Sequence, residues 1–195
     1  LRRMKTASDT VRICLVGKYV EIKDAYMSIA ESLQHAGIAA GCNVQIERLD
    51  AAELGSSSGL NTLRSAHGIL VPGGFGARGV EGKIRAIQFA RSENIPYFGI
   101  CYGLQWAVVE FARNVCGLQQ AHSTEVDANT QEPVVWAMED QKSIEQMGGS
   151  MRLGEYNCRL TPGSLAQRAY GQDEIRERHR HRFEVNNKYR DILSK

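Results

Sequence analysis

The chain has 195 residues, a formal net charge of +2, 43% hydrophobic residues and 24% charged residues. This length suits one domain with a real core and is too short for two large domains. The composition is typical of a soluble globular protein without a transmembrane helix, and the small net charge gives no general reason to expect nucleic acid or a membrane as a partner.

Residues 1–10 are mostly polar or charged, lack the apolar stretch of a secretory signal, and open without Met. We therefore predict a linker remnant at 1–10 and one domain at 11–195, within a longer polypeptide. The cysteines are odd in number and show no CxxC spacing, which argues against a disulfide framework or a zinc site and favours a reducing cytoplasm. They are Cys14, Cys42, Cys101, Cys116 and Cys158.

Short apolar runs in the first part of the chain predict four buried strands, at residues 11–16, 43–49, 67–71 and 95–100. Apolar residues at one-face spacing predict helices after the first, third and fourth runs. The three stripes are Tyr26, Ile29, Ala30 and Leu33; Val80, Ile84 and Ile87; and Leu104, Ala107, Val108, Phe111 and Val115. Strands that alternate with helices predict an α/β fold, with a mostly parallel open sheet covered by helices on both faces.

Local signals refine these elements. Asp24 is predicted to cap the first helix and Gly37 to end it. Residues 53–61 are small and polar, and are predicted to form a surface loop. The C-terminal part has a different pattern, which predicts a small antiparallel annex and two further helices. The predicted strands lie at 133–138, 151–153 and 158–160, and the helices at 164–170 and from Asn187 onwards.

Cys101 lies between a predicted strand and a predicted helix, within Gly99-Ile100-Cys101-Tyr102-Gly103. A nucleophile on such a sharp turn needs small neighbours so that the backbone can approach itself closely. The N-terminus of the following helix would lower the pKa of the thiol. A free cysteine is more often a buried packing residue, so the spacing leaves both interpretations open. The other four cysteines are interpreted as packing or incidental residues.

A glycine-rich segment, Pro72-Gly73-Gly74-Phe75-Gly76, follows the third strand. Consecutive glycines there can turn backbone N–H groups towards a ligand, as an oxyanion hole requires. No Gly-Lys-Ser/Thr follows, which excludes a P-loop. A plain tight turn is the alternative. The carboxyl edge of a parallel sheet, where Cys101 is also expected, is the usual ligand site of such folds.

A basic run, RERHRHR, occupies residues 176–182. Acidic residues interleave with it, so a nucleic-acid patch is disfavoured against a solvated face. His179 and His181 have a spacing that fits a strand, and no third ligand is visible, so we predict no metal site.

These segments together resemble the class I glutamine amidotransferases, which share a flavodoxin-like fold. Within that family, the chain resembles the glutaminase domains of CTP synthases from residue 11 onwards. The stretches that carry the resemblance are VGKYVEIKDAYMSI (16–29), VPGGFGARGVEGKI (71–84), GICYGLQ (99–105), GGSMRLG (148–154) and ERHRHRFEVN (177–186).

The resemblance implies a role for each matching residue. Cys101 would attack the γ-amide carbonyl of glutamine and form a glutamyl thioester. The N–H groups of Gly74 and Tyr102 would hold the oxyanion, although Tyr102 departs from the Leu commonly found there. The substrate would be bound by Gly73, Phe75, Gln105, Glu125 and Arg182, with Arg182 facing the α-carboxylate.

The resemblance also implies partners and cofactors. The parent activity would be a ligase reaction of pyrimidine biosynthesis, the ATP-dependent amination of UTP to CTP. ATP and Mg²⁺ would bind an N-terminal synthetase domain of the same polypeptide, in a homotetramer, and this domain would need no cofactor or metal. A His-Pro-Glu motif should supply the catalytic base, yet none of the five histidines precedes Pro-Glu. We therefore expect little activity from these 195 residues alone.

Two alternatives remain at this point. The chain could be another class I amidotransferase domain or a γ-glutamyl peptidase, although GGSMRLG and ERHRHRFEVN would then be unexplained. It could also be a non-catalytic docking module of the same fold. A failure of a glutamine-like electrophile to label Cys101 would favour the docking module.

Overall fold

The computed structural model describes residues 9–22, 24–55, 57–137 and 152–194. The chain divides into two compact units, one formed by Leu1–Val135 with Val185–Lys195 and the other by Trp136–Glu184. Within the described residues, no helix is both long enough and apolar enough to cross a membrane.

The first unit is built on a four-stranded sheet, which confirms the predicted parallel core. In chain order the elements are β1 (Thr10–Gly17), α1 (Met27–Ala40), β2 (Asn43–Asp50), α2 (Ser57–Ser65), β3 (Gly68–Val71), α3 (Val80–Ser92), β4 (Tyr97–Gly99) and α4 (Tyr102–Asn114). The strand order is β2-β1-β3-β4, and every neighbouring pair is parallel. Helices flank this sheet.

The core of the sheet follows from the apolar runs of its central strands. Residues 14–16 of β1 and 69–71 of β3 are all buried. Runs without alternation are typical of parallel strands that are covered on both faces. The strand order reverses between β1 and β3, so the carboxyl ends of β1, β3 and β4 form the edge at which ligands bind in such folds.

The first helix departs from prediction at both ends. It begins after Tyr26, whose φ of 65° is left-handed, and no side chain caps it, so Asp24 is not the cap. It continues through Gly37, because a β-carbon there would lie 2.6 Å from Val44 Cγ2 and glycine permits this close packing. The helix ends at Gly41, which adopts the left-handed conformation with a φ of 74°.

The predicted loop at 53–61 is wrong. The chain forms a 3₁₀ helix at Ala51–Gly55 and then α2. Leu54 and Leu63 are buried at 2% and 0% exposure, so their burial holds polar segments in helical form against weak local preference.

The apolar stripe assigned to α4 is also on the wrong face. Leu104 and Val115 are about half exposed, whereas Trp106, Val109 and Ala112 are fully buried. The pattern was misleading because the buried face includes a charged residue, Glu110, whose carboxylate accepts hydrogen bonds from Arg91 and Asn114.

A second, three-stranded sheet has the strand order β5 (Ala121–Ser123), β6 (Glu132–Ala137) and β9 (Phe183–Val185). The boundary between the units passes through β6 and β9. β5 and β6 are parallel. The chain then forms a 3₁₀ turn at Asn187–Tyr189 and α6 at Arg190–Leu193, where a helix was expected.

The second unit contains the antiparallel pair β7 (Arg152–Arg159) and β8 (Glu174–His181), joined through α5 (Leu165–Tyr170), which confirms the predicted small antiparallel annex. The two short strands predicted at 151–153 and 158–160 are one continuous strand, since β8 pairs with its whole length. Residues 138 and 148–151 of the predicted segments lie outside the described residues. Ser164 caps α5 by accepting a hydrogen bond from Gln167 N–H, as the helix predicted there requires.

Candidate active site

Cys101 occupies a strained bend between β4 and α4. Its backbone has φ 52° and ψ −100°, a combination that non-glycine residues rarely adopt and that is often found at functional sites. A β-carbon on Gly103 would lie 2.1 Å from Val71 O, and one on Gly99 would lie 2.6 Å from the Gly103 carbonyl carbon. The prediction that small residues flank a sharp turn is therefore confirmed.

The thiol of Cys101 has a raised pKa, which contradicts the predicted lowering. The residue is exposed, yet partial desolvation of the thiol raises its pKa, and the charge of Glu125 adds to the rise. The backbone N–H of Tyr102 acts in the opposite direction but is outweighed. Desolvation and the charge of Glu125 therefore disfavour the thiolate form of Cys101.

The other cysteines differ in their surroundings. Burial raises the pKa of the fully buried Cys14 to about 12. Cys116 is half-buried and its Sγ contacts Ile192 O at 3.4 Å. Cys42 is half-buried, and Cys158 is exposed in the second unit. Of the five, Cys101 alone lies on a strand-to-helix bend beside the glycine-rich segment.

The glycine-rich segment after β3 lies against this bend. A β-carbon on Gly73 would lie 3.8 Å from Cys101 Cβ, and one on Gly74 would lie 3.5 Å from Tyr102 Cδ1. The structure thus brings Gly73, Gly74, Cys101 and Tyr102 together. Their roles in binding an oxyanion or substrate stay predictions. Phe75 is 65% exposed at the tip of the segment.

Glu125 and Gln105 belong to the same neighbourhood. Glu125 Oε1 accepts a hydrogen bond of 2.8 Å from the N–H of Gly76. Gln105 lies one helical turn after Cys101, where its N–H donates to Cys101 O at 3.1 Å and its side chain is buried. Both positions are compatible with the predicted grip on the amino acid end of glutamine.

Arg182 lies in the second unit, at the bend between β8 and β9, and is half-buried. Its neighbour His181 places Nδ1 3.0 Å from Phe183 O, and His181 Nε2 lies 2.9 Å from His179 Nδ1. The assignment of Arg182 to the substrate carboxylate stays a prediction.

The basic run of β8 is balanced by nearby acids within the second unit. Arg176 pairs with Glu155 at 3.2 Å, and Tyr170 donates to Glu177 at 2.5 Å. The two histidines contact each other rather than a third ligand, and no group of three metal-ligating side chains occurs within the described ranges.

Two lysines near the site were missed by sequence reasoning. Lys18 follows β1, is 8% exposed, and its Nζ donates to Phe75 O. Lys83 on α3 is 3% exposed, and its Nζ, 5.8 Å from the Tyr102 ring centroid, has no hydrogen-bond partner among the described residues. Burial and the nearby Lys18 charge lower the pKa of Lys83 to about 8. Their only sequence signal was membership of the segments VGKY and EGKI.

Residues 21–195 match the family described as Glutamine amidotransferase class-I. The chain is 51% identical to the protein named CTP synthase in Archaeoglobus fulgidus over 189 residues, which are 97% of this chain and 35% of that protein. It is 51% identical to the one in Thermus thermophilus over 195 residues, which are 100% of this chain and 36% of that protein. The chain therefore spans about a third of the length of these curated relatives.

A solved structure from the same family is similar to this chain in fold and sequence. The glutaminase domain of Trypanosoma brucei CTPS with bound acivicin matches with a TM-score of 0.85 and 38% sequence identity. The match covers 94% of this chain and 71% of that chain. This likeness agrees with the parallel sheet and flanking helices described above.

Proposed function

The chain belongs to the class I glutamine amidotransferase family, and we propose that it is the glutaminase part of a CTP synthase. In this proposal it hydrolyses glutamine and supplies ammonia for the ATP-dependent amination of UTP to CTP. The observation that carries the proposal is the position of Cys101, on a strained strand-to-helix bend whose Cβ lies beside Gly73. The relatives named CTP synthase, which this chain matches over at least 97% of its length, support the choice within the family.

The proposed reaction begins when Cys101 Sγ, as thiolate, attacks the γ-carbonyl carbon of glutamine. A carbon–sulfur bond forms, and the N–H groups of Gly74 and Tyr102 stabilise the oxyanion. The carbon–nitrogen bond then breaks as a general acid donates a proton, which releases ammonia. Water attacks the thioester, yields glutamate and restores the thiol.

The substrate contacts are assigned by the same reasoning. Glu125 Oε1 accepts the hydrogen bond from Gly76 N–H, and in this proposal the other carboxylate oxygen accepts from the α-ammonium group of glutamine. Gln105 would assist it, and Gly73 and Phe75 would border the substrate. Arg182 would pair with the α-carboxylate in the two-pronged geometry of a guanidinium.

The remaining chemistry is proposed for a synthetase part of the same polypeptide. ATP, UTP and Mg²⁺ would bind there, and no residue of this chain is assigned to them. A homotetramer and a cytoplasmic location complete the proposal, and the free state of all five cysteines is compatible with a reducing compartment.

For a polypeptide of these 195 residues alone, we propose weak glutamine binding with negligible turnover. The raised pKa of Cys101 leaves little thiolate at neutral pH. None of the five histidines lies in the His-Pro-Glu motif that supplies the base in this family. General acid–base catalysis typically contributes about 10²–10⁴-fold in rate. Ammonia release that is robust in a preparation with the mass of these residues would contradict this.

The test of the proposed function uses the CTP synthase polypeptide and its Cys101→Ser variant. The variant should lose glutamine-dependent CTP formation and keep CTP formation from free ammonia. A glutamine-mimicking electrophile should modify Cys101 before Cys14 or Cys116, as read by peptide mapping. No labelling of Cys101, together with no glutamine use, would favour the docking module. Release of glutamate from γ-glutamyl peptides without CTP formation would favour a peptidase.

A further inference from the structure

We propose that the phenol of Tyr102 is a positioning group, which holds the glycine-rich segment so that the N–H of Gly74 stays directed at the substrate oxyanion. This inference rests on the proposed function and adds a side-chain role to a residue of which that function uses only the backbone. Tyr102 is 1% exposed, and its hydroxyl donates a hydrogen bond of 2.6 Å to Gly76 O.

Gly76 is held on both sides. Its N–H donates to Glu125 Oε1 at 2.8 Å, and its carbonyl accepts from Tyr102. Its φ is 72°, a left-handed conformation that glycine adopts freely and therefore also leaves freely. Fixing a backbone residue costs about 1–2 kcal/mol in conformational entropy, so a glycine-rich loop needs such contacts to keep one conformation.

The ring of Tyr102 has its own anchor. It packs edge-on against the fully buried Trp106, with centroids 5.4 Å apart and planes at 86°. Trp106 makes the same contact with His122, again at 5.4 Å. The phenol is therefore held in place by the core of the first unit, and its hydrogen bond restricts the position of Gly76.

The ring also lies near the proposed oxyanion donor, because a β-carbon added to Gly74 would lie 3.5 Å from Tyr102 Cδ1. The hydroxyl binds the same segment two residues further on, at Gly76 O. Burial, with the charge of Glu125, raises the pKa of the Tyr102 phenol, so it remains a protonated donor throughout the assay range.

A leucine at position 102 would have no hydroxyl and could not make the bond to Gly76. Removing the hydroxyl alone should leave the Gly76–Glu125 bond in place, and with it the grip on the substrate ammonium group. The expected defect is therefore in the transition state, where the oxyanion donor acts, and not in substrate binding.

The experiment is Tyr102→Phe in the CTP synthase polypeptide, assayed with glutamine and with ammonia. We expect kcat with glutamine to fall about five- to tenfold, the effect of one neutral hydrogen bond, while KM for glutamine changes less than about twofold. CTP formation from ammonia should stay within about twofold, which also reports that the variant is folded.

Tyr97→Phe is the matched control. Its phenol is also partly desolvated and donates to a backbone carbonyl, Gly103 O, at 2.8 Å, and this hydrogen bond does not involve the glycine-rich segment. We expect its kcat with glutamine to stay within about twofold. A second variant, Tyr102→Leu, should lose at least as much as Tyr102→Phe.

A second measurement separates loop position from thiol reactivity. In Tyr102→Phe, labelling of Cys101 by a glutamine-mimicking electrophile should slow about fivefold, while its alkylation by iodoacetamide should be unchanged. An unchanged kcat, a defect confined to KM, or an equal loss in Tyr97→Phe would overturn the inference. If the unmodified protein showed neither labelling nor glutamine use, the proposed function itself would fail.

Discussion

The close contact between α4 and β3 makes Gly103→Ala a sharp test of how Cys101 is held. The new β-carbon would lie 2.1 Å from Val71 O and 2.9 Å from Val71 C, both backbone atoms that cannot rotate away. The start of α4 must therefore retreat by roughly 1 Å, and such overpacking costs about 1–3 kcal/mol. Alanine recovers about 1 kcal/mol through helix propensity, so the net loss in free energy of unfolding is about 2 kcal/mol at most.

Activity should suffer more than stability. A 1 Å misplacement at a reacting centre can cost about 100-fold in rate, equivalent to ~2.7 kcal/mol in the barrier. Cys101 and the N–H of Tyr102 both lie within two residues of Gly103, so they move with it. We expect kcat/KM with glutamine to fall about 100-fold while CTP formation from ammonia is retained.

The assays are urea denaturation and CTP formation from each nitrogen source. Ala107→Gly in the same helix is the control, because it costs about 1 kcal/mol in helix propensity without any clash. That control should keep its glutamine activity. Retention of glutamine use by Gly103→Ala to within about threefold, or an equal loss in Ala107→Gly, would refute the reasoning.

Three other predictions concern charged groups. Arg182→Lys should raise KM for glutamine about 10- to 100-fold, the loss of a charge-assisted hydrogen bond, and leave ammonia use intact; an equal loss of both would mean a structural role. Lys83→Met should raise the urea midpoint at pH 7, because the pKa of Lys83 is lowered to about 8 and its buried charge destabilises the fold below that pH. In the unchanged protein, stability should rise from pH 8 towards 10.5, and the variant should lack this rise. Desolvation, with the charges of His179 and Arg152, lowers the pKa of His181, so its contribution to stability is full above about pH 6.5 and is lost as the pH falls through the folded value. An NMR titration of His181 with a midpoint above about 6.5 would contradict this.

The elements that the sequence predicted well are those whose burial follows from the apolar pattern of their own residues. β3 is buried along its whole length, β1 is apolar and buried at residues 14–16, and α3 buries Val80, Ile84 and Ile87 at the predicted spacing. The errors occur where burial depends on a distant partner. Glu110 is 1% exposed only because Arg91, on α3, neutralises it, and no local pattern in α4 contains that information.

In the candidate site, too, the features that follow from local sequence were predictable and those that depend on distant contacts were not. Cys101 and the glycine-rich segment were predictable, because each follows an apolar strand and parallel strands end at one edge of a sheet. The direction of the pKa shift of the thiol was not predictable, since desolvation by burial outweighs the hydrogen bond from the Tyr102 N–H. The hydroxyl contact to Gly76 joins positions 26 residues apart, and only the fold brings them together.

The strain at Cys101 and the burial of α4 are linked by geometry. A left-handed non-glycine residue costs about 1–3 kcal/mol and persists only when its surroundings determine it. The residues that follow it are anchored by Trp106 and Val109, both fully buried, each contributing about 1.5–3 kcal/mol or more. Because this burial fixes α4 against β3 at the Gly103–Val71 contact, the bend has no room to relax. Substitutions in the buried face of α4 should therefore alter the reactivity of Cys101 before they unfold the first unit.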